Sequence, residues 1–397
     1  MGVPRLPIAL LGVVASACSS SPGGVPPTPE SQAFSYVTNL IPVSVGYGGA
    51  SATGIVDTGN PWVLLDPTVF TSAASLPGNG VSVPTIDIAS QTVSNVYVVP
   101  SNDGLQSPDP AFPLAANVGC AGICGKVAGF NYRDAVFSLG TSAPSPPSGL
   151  LAEKVFPFSF EGGSVVDGVT LPRSRIVVTV SLEGTDYQMI LDSGASSVTV
   201  SATAYAALTT DGRAQLDGGT VETTSGTSTS SLTRAKSIVV GGVEVDNVVV
   251  AHDTSFDQNL GAIGTDVGHT IDGSLGGTFL HDFYVTVDYP AREVHLARYS
   301  DLSFAVDPAE RLGIELAPGI SNSYVVAAVS STATAQGISA GDQVVSIDGV
   351  DLAGLALAQV GVLEFGAVGQ TKQVVFGQAV NVPGKTLEVA IEELLPL

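Results

Sequence analysis

The chain has 397 residues, which is long enough for two or three domains. It is 44% hydrophobic and only 13% charged, and its 46 glycines and 25 prolines favour a strand-rich fold with many turns over a helical bundle. The formal charge of −22 at pH 7 gives a surface that repels nucleic acid and anionic head groups. We therefore expect no nucleic-acid partner.

The N-terminus is typical of an export signal. Arg5 precedes a short apolar run, Leu6–Ala17, which is too short to span a bilayer as a helix of about 20 residues. The sequence Ala-Ser-Ala-Cys that ends at Cys18 resembles the lipobox of bacterial lipoproteins, and ordinary cleavage after Ala17 is the alternative. We predict a lipoprotein signal peptide over 1–18, lipidation at Cys18 and a flexible tether over 19–33. The protein would then be exported and anchored in the cell envelope by lipid alone, facing the periplasm from the outer membrane or at the cell surface.

The next part of the chain predicts strands around an acidic turn. An alternating strand at Leu40–Val45 is followed by GIVDTGNPWVLL, in which Asp57-Thr58-Gly59 separates two apolar runs. The segment Ile86–Val99 predicts two strands joined by a two-residue turn at Ala89-Ser90. A buried carboxylate is costly, so Asp57 either faces water in a turn or is buried for a function.

Two cysteines follow in the sequence CAGIC. In an exported protein, Cys120 and Cys124 favour a small local disulfide, with two buried free thiols as the alternative. Zinc would need further Cys or His residues close by, and the neighbouring sequence has none. We therefore predict no metal site.

The second half of the chain repeats this order of elements. A strand at Ile176–Leu182 precedes ILDSGASSVTV, which contains Asp192-Ser193-Gly194, and the segment Ile238–Ala251 aligns without a gap on Ile86–Val99. Two further matches are Ile123-Cys124-Gly125 with Ser274-Leu275-Gly276, and Asp134 with Asp282. Four matched elements in one order indicate an internal duplication rather than a chance similarity of β-rich segments.

Two copies of apolar-apolar-Asp-[Thr/Ser]-Gly in a duplicated β-rich chain resemble the bilobed aspartic proteases of the pepsin and retropepsin superfamily. The resemblance implies a mostly β fold with two pepsin/retropepsin-like barrels, lobe 1 over 34–142 and lobe 2 over 173–300, joined by an interlobe segment over 143–172. It implies an aspartic endopeptidase in which Asp57 and Asp192 activate a water molecule to hydrolyse peptide or protein substrates, with no cofactor. The alternative for either Asp alone is a solvent-facing turn residue.

The resemblance also assigns roles to the neighbours of each Asp. Thr58 and Ser193 would cross-bond the two motif loops, and Gly59 and Gly194 would let the backbone pass close to the carboxylates. The pepsin-like enzymes usually place a hydroxyl donor at the next position. Here that position holds Asn60 in lobe 1, whose amide can donate, and Ala195 in lobe 2, which cannot.

The two halves differ in the distance between motif and hairpin. It is 29 residues from Asp57 to Ile86 and 46 from Asp192 to Ile238. The extra polar segment in lobe 2 looks like a β-hairpin flap over the substrate, and a surface loop is the alternative. Its tip is expected at Thr224, Ser225, Gly226 and Thr227.

The last part of the chain, 305–397, resembles a PDZ domain of the kind found with bacterial proteases. The resemblance rests on the stretch from Ala335 to Gly349 and places Leu312, Gly313 and Ile314 at the carboxylate loop, where backbone N–H groups would bind the C-terminus of a peptide. A small β domain without a ligand is the alternative. The competing function for the whole chain is a catalytically inactive, protease-like lipoprotein that binds peptides through this domain.

Overall fold

The computed structural model describes residues 28–101, 105, 107, 112–163, 165–166, 169–170, 172–223, 226–305, 307–319, 323–377 and 384–397. The predicted export signal, Cys18 and the first part of the expected tether lie outside these residues. The fold is mostly β and consists of two barrel-like lobes and a C-terminal domain.

Lobe 1 is a closed six-stranded barrel with a helix at each end of its sequence. Its elements are α1 Pro29–Thr38, β1 Pro42–Tyr47, β2 Ala50–Val56, β3 Val63–Leu65, β4 Val81–Ile88, β5 Gln91–Pro100, β6 Ala116–Val118 and α2 Cys120–Ile123. The strands pair in the order β1-β2-β6-β3-β5-β4. In β1, Val43 and Val45 are buried and alternate with half-buried residues, which is the period of a strand with one face on a core.

Two hairpin strands and four short strands connect the lobes. They are β7 Val127–Asn131, β8 Val136–Gly140, β9 Lys154–Pro157, β10 Phe160–Glu161, β11 Val165–Val166 and β12 Val169–Thr170. Strand β10 joins the sheet of lobe 2, and β11 pairs with β12.

Lobe 2 repeats the pairing of lobe 1. Its elements are β13 Arg175–Leu182, β14 Thr185–Leu191, β15 Val198–Val200, α3 Ala202–Leu208, β16 Leu216–Thr223, β17 Gly226–Val240, β18 Val243–Asp253, α4 Thr254–Val267, β19 Gly273–Leu275 and α5 Gly277–Leu280. The strand order is β10-β13-β14-β19-β15-β18-β17-β16, and β13 also pairs with β17. Without β10 and β16, this is the order of the first barrel.

A five-stranded sheet joins the lobes. It contains β20 Phe283–Asp288 and β21 Glu293–Arg298 and has the order β8-β7-β20-β21-β9. At its centre, Asn131 pairs with Tyr284 and Val127 pairs with Asp288, so the two halves meet about a local two-fold axis.

The predicted hairpin repeat is confirmed. The turns Ala89-Ser90 and Gly241-Gly242 both have positive φ, and so do Asn95 and Asn247, which occupy matching places in the second strand of each hairpin. Such turns match the twist of the flanking strands.

Two other predicted matches are wrong, that of Ile123-Cys124-Gly125 with Ser274-Leu275-Gly276 and that of Asp134 with Asp282. Val56 pairs with Val118 and Leu191 pairs with Leu275, so Val118-Gly119 is the counterpart of Leu275-Gly276, whereas Ile123 lies in α2. Asp134 lies in the turn between β7 and β8, whereas Asp282 precedes β20. An apolar residue followed by Gly occurs at Val118-Gly119, Ala121-Gly122 and Cys124-Gly125, and only strand pairing distinguishes the three.

Helix α1 changes the expected tether. Residues from Pro29 onward are helical, and Thr28 caps the helix by accepting a hydrogen bond from the backbone of Ser31. Phe34 is completely buried with Ile55 of lobe 1 and Ala358 of the C-terminal domain. The tether therefore does not extend to residue 33, because this apolar face packs against two domains.

The C-terminal domain has its own hydrophobic core around one sheet. Its elements are β22 Glu310–Leu312, β23 Ile314–Pro318, β24 Tyr324–Val329, α6 Ser331–Ala335, β25 Gln343–Ile347, β26 Val350–Asp351, α7 Leu357–Glu364, β27 Thr371–Phe376 and β28 Thr386–Glu393. The order is β22-β28-β27-β25-β24-β23, with β26 beside β25. Helix α7 packs near β23 and against α1.

Candidate active site

The two Asp motifs leave their barrels in the same way. Asp57 follows β2, and its N–H donates to the carbonyl of Val118 at 3.0 Å. Asp192 follows β14, and its N–H donates to the carbonyl of Leu275 at 3.1 Å. A parallel neighbouring strand therefore fixes each turn at the point where the chain leaves the sheet.

The hydroxyl side chains of the two motifs cross-bond the loops. The Thr58 hydroxyl donates to the carbonyl of Leu191 at 2.6 Å and accepts from the N–H of Ser193 at 3.0 Å. The Ser193 hydroxyl donates to the carbonyl of Val56 at 2.8 Å and accepts from the N–H of Thr58 at 3.2 Å. Both hydroxyls are buried, so these four bonds hold the loops in one geometry with little competition from water.

The glycines make room for the carboxyl of the opposite motif. A Cβ atom on Gly59 would lie 2.9 Å from the Cγ of Asp192, and one on Gly194 would lie 2.4 Å from the Cγ of Asp57. Any larger residue would collide with a carboxyl group. The requirement for glycine here is close approach, and it shows that each carboxyl sits against the backbone of the other loop.

The two carboxyls interact electrostatically. Burial, the nearby charge of Asp57 and a hydrogen bond with Asp57 raise the pKa of Asp192 well above its usual range. The N–H of Gly194 and the positive charge of Arg175 act in the opposite direction. Both Asp residues keep some solvent exposure, so water can reach the pair.

The residue after the first motif is Asn60, at the position where a donor to the carboxylates was expected. The Asn60 amide does not donate to a carboxylate but to the Oδ1 of Asn117 at 3.0 Å. The Nδ2 of Asn117 in turn donates to the Oδ2 of Asp57 at 2.8 Å. Sequence reasoning missed Asn117, although a polar residue in the otherwise apolar strand β6 was a usable signal.

Arg175 is a second residue that the sequence did not indicate. It begins β13, donates to the carbonyl of Gly59 in the other lobe, and forms an ion pair with Asp266 of α4 at 3.2 Å. Its guanidinium is therefore held beside the carboxyl pair by groups from both lobes.

The predicted flap lies on a real hairpin. Strands β16 and β17 pair from Leu216 with Leu232 to Thr223 with Gly226. Gly226 and Thr227 begin β17, whereas Thr224 and Ser225 lie outside the described residues. No corresponding strand lies between β3 and β4 in lobe 1 as described, which agrees with the shorter spacing there.

The three residues predicted for the carboxylate loop, Leu312, Gly313 and Ile314, lie where strand β22 meets strand β23. Leu312 belongs to β22 and pairs with Ile391, and Ile314 belongs to β23 and pairs with Val329. The N–H of Gly313 already donates to the carbonyl of Ala390 at 3.2 Å. These residues form a tight strand-to-strand connection, so Gly313 has no free N–H for a peptide carboxylate.

A disulfide joins Cys120 and Cys124 next to the first motif, at the start of α2. Among the residues that the structure describes, no cluster of three or more His, Cys, Asp or Glu side chains could hold a metal ion. None of the helices in the described ranges combines the length and the apolar character needed to cross a membrane.

Comparison with known proteins gives one family match, which lies within lobe 2. Residues 178–279 match the aspartyl protease family model, a range of roughly a quarter of the chain that contains the Asp192 motif and Gly276. No curated protein matches the chain.

Three solved structures are similar to this chain at low identity. A retropepsin-like aspartic protease from Rickettsia conorii is 14% identical, with 37% of this chain and 99% of that chain covered and a TM-score of 0.26. An aspartic proteinase from Irpex lacteus is 14% identical, with 66% and 95% covered and a TM-score of 0.38. The photosystem II D1 C-terminal processing protease is 24% identical, with 24% and 26% covered and a TM-score of 0.20. These likenesses are weak.

Proposed function

We propose that this protein is an aspartic endopeptidase that hydrolyses peptide bonds with a water molecule activated by Asp57 and Asp192. One carboxylate takes a proton from the water while the other carboxylic acid gives a proton to the peptide carbonyl oxygen. Like charges at close range keep one carboxyl protonated, so a single residue type supplies both acid and base. No metal or organic cofactor takes part in this proposal.

The observation that carries the proposal is the pair of cross-bonded loops. A turn Asp needs no such framework, whereas a carboxyl pair must be held against its own electrostatic repulsion. The Thr58 and Ser193 hydroxyls provide that support, and Gly59 and Gly194 leave the space it requires. The family match over lobe 2 supports the same interpretation.

The first experiment measures cleavage of a mixed peptide library between pH 3 and pH 7 by the chain from Ser19 onward. We expect cleavage by the wild type and a loss of about 10³-fold or more in Asp57→Asn and in Asp192→Asn. Asp66→Asn is the matched control, because Asp66 also caps a turn after a strand, and it should leave cleavage unchanged. A folded wild type that binds peptides and cleaves none at any pH would favour the peptide-binding alternative.

For the β16–β17 hairpin we propose the role of a flap over bound substrate. For the C-terminal domain we propose a PDZ-like domain that accepts an extended peptide as an added strand. Strand β23 supports this, because it lies at the end of its sheet with α7 alongside. Anisotropy titration of the full chain with labelled peptides is the test, and amidated peptides show whether a free C-terminus is needed. No binding by either form would exclude this role.

We further propose that Cys18 carries a lipid and that the protein is exported and faces the periplasm from the outer membrane or lies at the cell surface. The support is sequence alone, since residue 18 lies outside the described range. Incorporation of labelled palmitate that Cys18→Ala abolishes, followed by membrane fractionation, is the test. Release of an unlabelled soluble protein would contradict it.

A further inference from the structure

We infer that Asn117 is a positioning residue that keeps Asp57 as the ionised member of the carboxyl pair and leaves the shared proton on Asp192. This inference rests on the proposed function and deepens it, because it assigns the base and the acid. Two observations support it. Three consecutive hydrogen bonds in lobe 1 direct the Asn117 amide at Asp57, and the described part of lobe 2 has no equivalent amide donor to Asp192.

The direction of the hydrogen-bond chain is fixed by the backbone. The N–H of Trp62 can only donate, and it donates to the Oδ1 of Asn60 at 3.1 Å. The Nδ2 of Asn60 must then face Asn117, where it donates to Oδ1 at 3.0 Å. The remaining group of Asn117 is its Nδ2, which lies 2.8 Å from the Oδ2 of Asp57. These contacts fix the orientation of both amides, so a donor faces this carboxyl.

Burial makes this donor effective. Asn117 is only 2% exposed, so water competes little for its amide, and leaving that amide unpaired would be costly. The other oxygen of Asp57, Oδ1, accepts from the N–H of Gly59 at 2.9 Å. With one donor on each oxygen, the ionised form of Asp57 is favoured.

The described residues of lobe 2 offer no donor that corresponds to the Asn117 amide. Asn117 pairs with Ile55 of β2, and the residue that pairs with Ile190 of β14 is Ser274. The Ser274 hydroxyl is buried and has no hydrogen-bond partner within the described ranges, and the side chain of Ala195 has no polar atom. The donor to Asp192 is the N–H of Gly194, to its Oδ1 at 3.0 Å. The raised pKa of Asp192, caused first by burial, agrees with this asymmetry.

The difference between the donors to Asp57 and those to Asp192 determines which carboxyl takes a proton and which gives one in each step. The water oxygen bonds to the peptide carbonyl carbon while Asp57 takes the water proton and Asp192 gives its proton to the carbonyl oxygen. This yields a neutral gem-diol on the substrate. When the C–N bond breaks, Asp57 gives its proton to the leaving nitrogen and Asp192 recovers a proton from the diol. Asp57 is then ionised and Asp192 protonated, as at the start.

The test compares pH profiles of kcat/KM. Asn117→Leu removes the donor and keeps the same branched shape, so Asp57 should protonate at higher pH and the acid limb should move up by about 1 pH unit. Asn60→Ala leaves Asn117 in place without its orienting partner, and we expect a smaller shift in the same direction. Asn131→Ala is the matched control, because Asn131 also donates to an aspartate at 2.8 Å, in this case Asp134 in the turn between β7 and β8. This control variant should leave the pH profile of kcat/KM unchanged.

A second readout does not depend on cleavage. In ¹³C-carboxyl NMR titrations of the full chain, the resonance lost in Asp57→Asn should titrate at higher pH in Asn117→Leu than in the wild type. If the wild type cleaves nothing but this shift occurs, the proposed function fails and the inference about the pair stands. If the wild type cleaves and neither readout moves, Asn117 is structural only and the inference is wrong. Should Asn117→Leu not fold, Asn60→Ala decides by the same two readouts.

Discussion

Glu364 is a buried carboxyl at the end of α7 whose protonation is coupled to folding. Its Oε1 accepts from the backbone N–H of Leu316 at 3.0 Å and lies 3.3 Å from the guanidinium of Arg311. Burial raises the pKa of Glu364 to about 7, with Glu315 adding to the rise and Arg311 and the Leu316 N–H opposing it. Lys372, on the neighbouring strand β27, donates to the carbonyl of Leu363 at 2.7 Å.

A raised carboxyl pKa predicts lower stability at higher pH. The folded chain keeps a proton on Glu364 that the unfolded chain loses, so the stabilisation is complete below the unfolded pKa near 4.5 and is lost as pH rises through about 7. In the wild type, the free energy of unfolding should fall by roughly 3 kcal/mol over that window. We expect Glu364→Gln to abolish this fall. Thermal and denaturant unfolding from pH 4 to 8 would measure it. Exposed Glu388→Gln is the control, and equal pH slopes in wild type and Glu364→Gln would contradict the prediction.

At this scale the sequence predicts the motif residues but not their distant partners. Asp57 with Thr58, and Asp192 with Ser193, stand out because each motif is contiguous and occurs twice. Asn117 lies 60 residues from Asp57 in the sequence. Contacts of this kind depend on which strands become neighbours, and sequence spacing alone does not encode that.

Among the elements, the β16–β17 hairpin carries a prediction for substrate binding. Its strands pair at Gly219 with Ser230, so residues 220–229 can be replaced by a two-residue Asn-Gly turn without changing the register of the base. If the hairpin covers the substrate, kcat/KM should fall by about 10²-fold, mainly through a higher KM, because positioning and exclusion of water are lost.

The matched control replaces the turn Ala89-Ser90 in the β4–β5 hairpin by Asn-Gly. Both positions have positive φ, which Asn and Gly tolerate, so folding and activity should persist. Circular dichroism checks that both variants are folded. Unchanged kinetics in the shortened β16–β17 variant would mean that the hairpin is a surface feature and not a flap.

Elements with strong periodicity were predictable, and α1 was not. The β4–β5 and β17–β18 hairpins are visible from alternating apolar residues and two-residue turns. The segment before Phe34 is rich in Ser and Pro, which favours a tether in isolation. It becomes helical because Phe34 and Val37 bury their side chains against lobe 1 and α7, which is a tertiary effect.

For the whole molecule, Arg234 of β17 connects lobe 2 to the C-terminal domain. Its guanidinium donates to Asp307 at 2.7 Å, to Glu393 at 3.0 Å and to the carbonyl of Leu395 at 3.1 Å. Around it, Leu395 packs in one cluster with Leu216 and Leu232 at the base of the β16–β17 hairpin. The C-terminal domain is thus attached to the same hairpin that we propose as the flap.

Arg234→Ala should therefore loosen the C-terminal domain as well as destabilise the protein. The side chain of Arg234 is 5% exposed, and removing it leaves Asp307 and Glu393 without their cation, at a cost of about 3 kcal/mol. We expect a larger radius of gyration in small-angle scattering and faster cleavage of the 301–309 segment by an added protease of broad specificity. Arg213→Ala separates the two effects, because Arg213 is equally buried but pairs with Asp211 and Glu183 inside lobe 2. Arg213→Ala should lower the unfolding temperature without changing the radius of gyration. If the radius of gyration increased equally in both variants, general destabilisation rather than release of the C-terminal domain would cause the expansion.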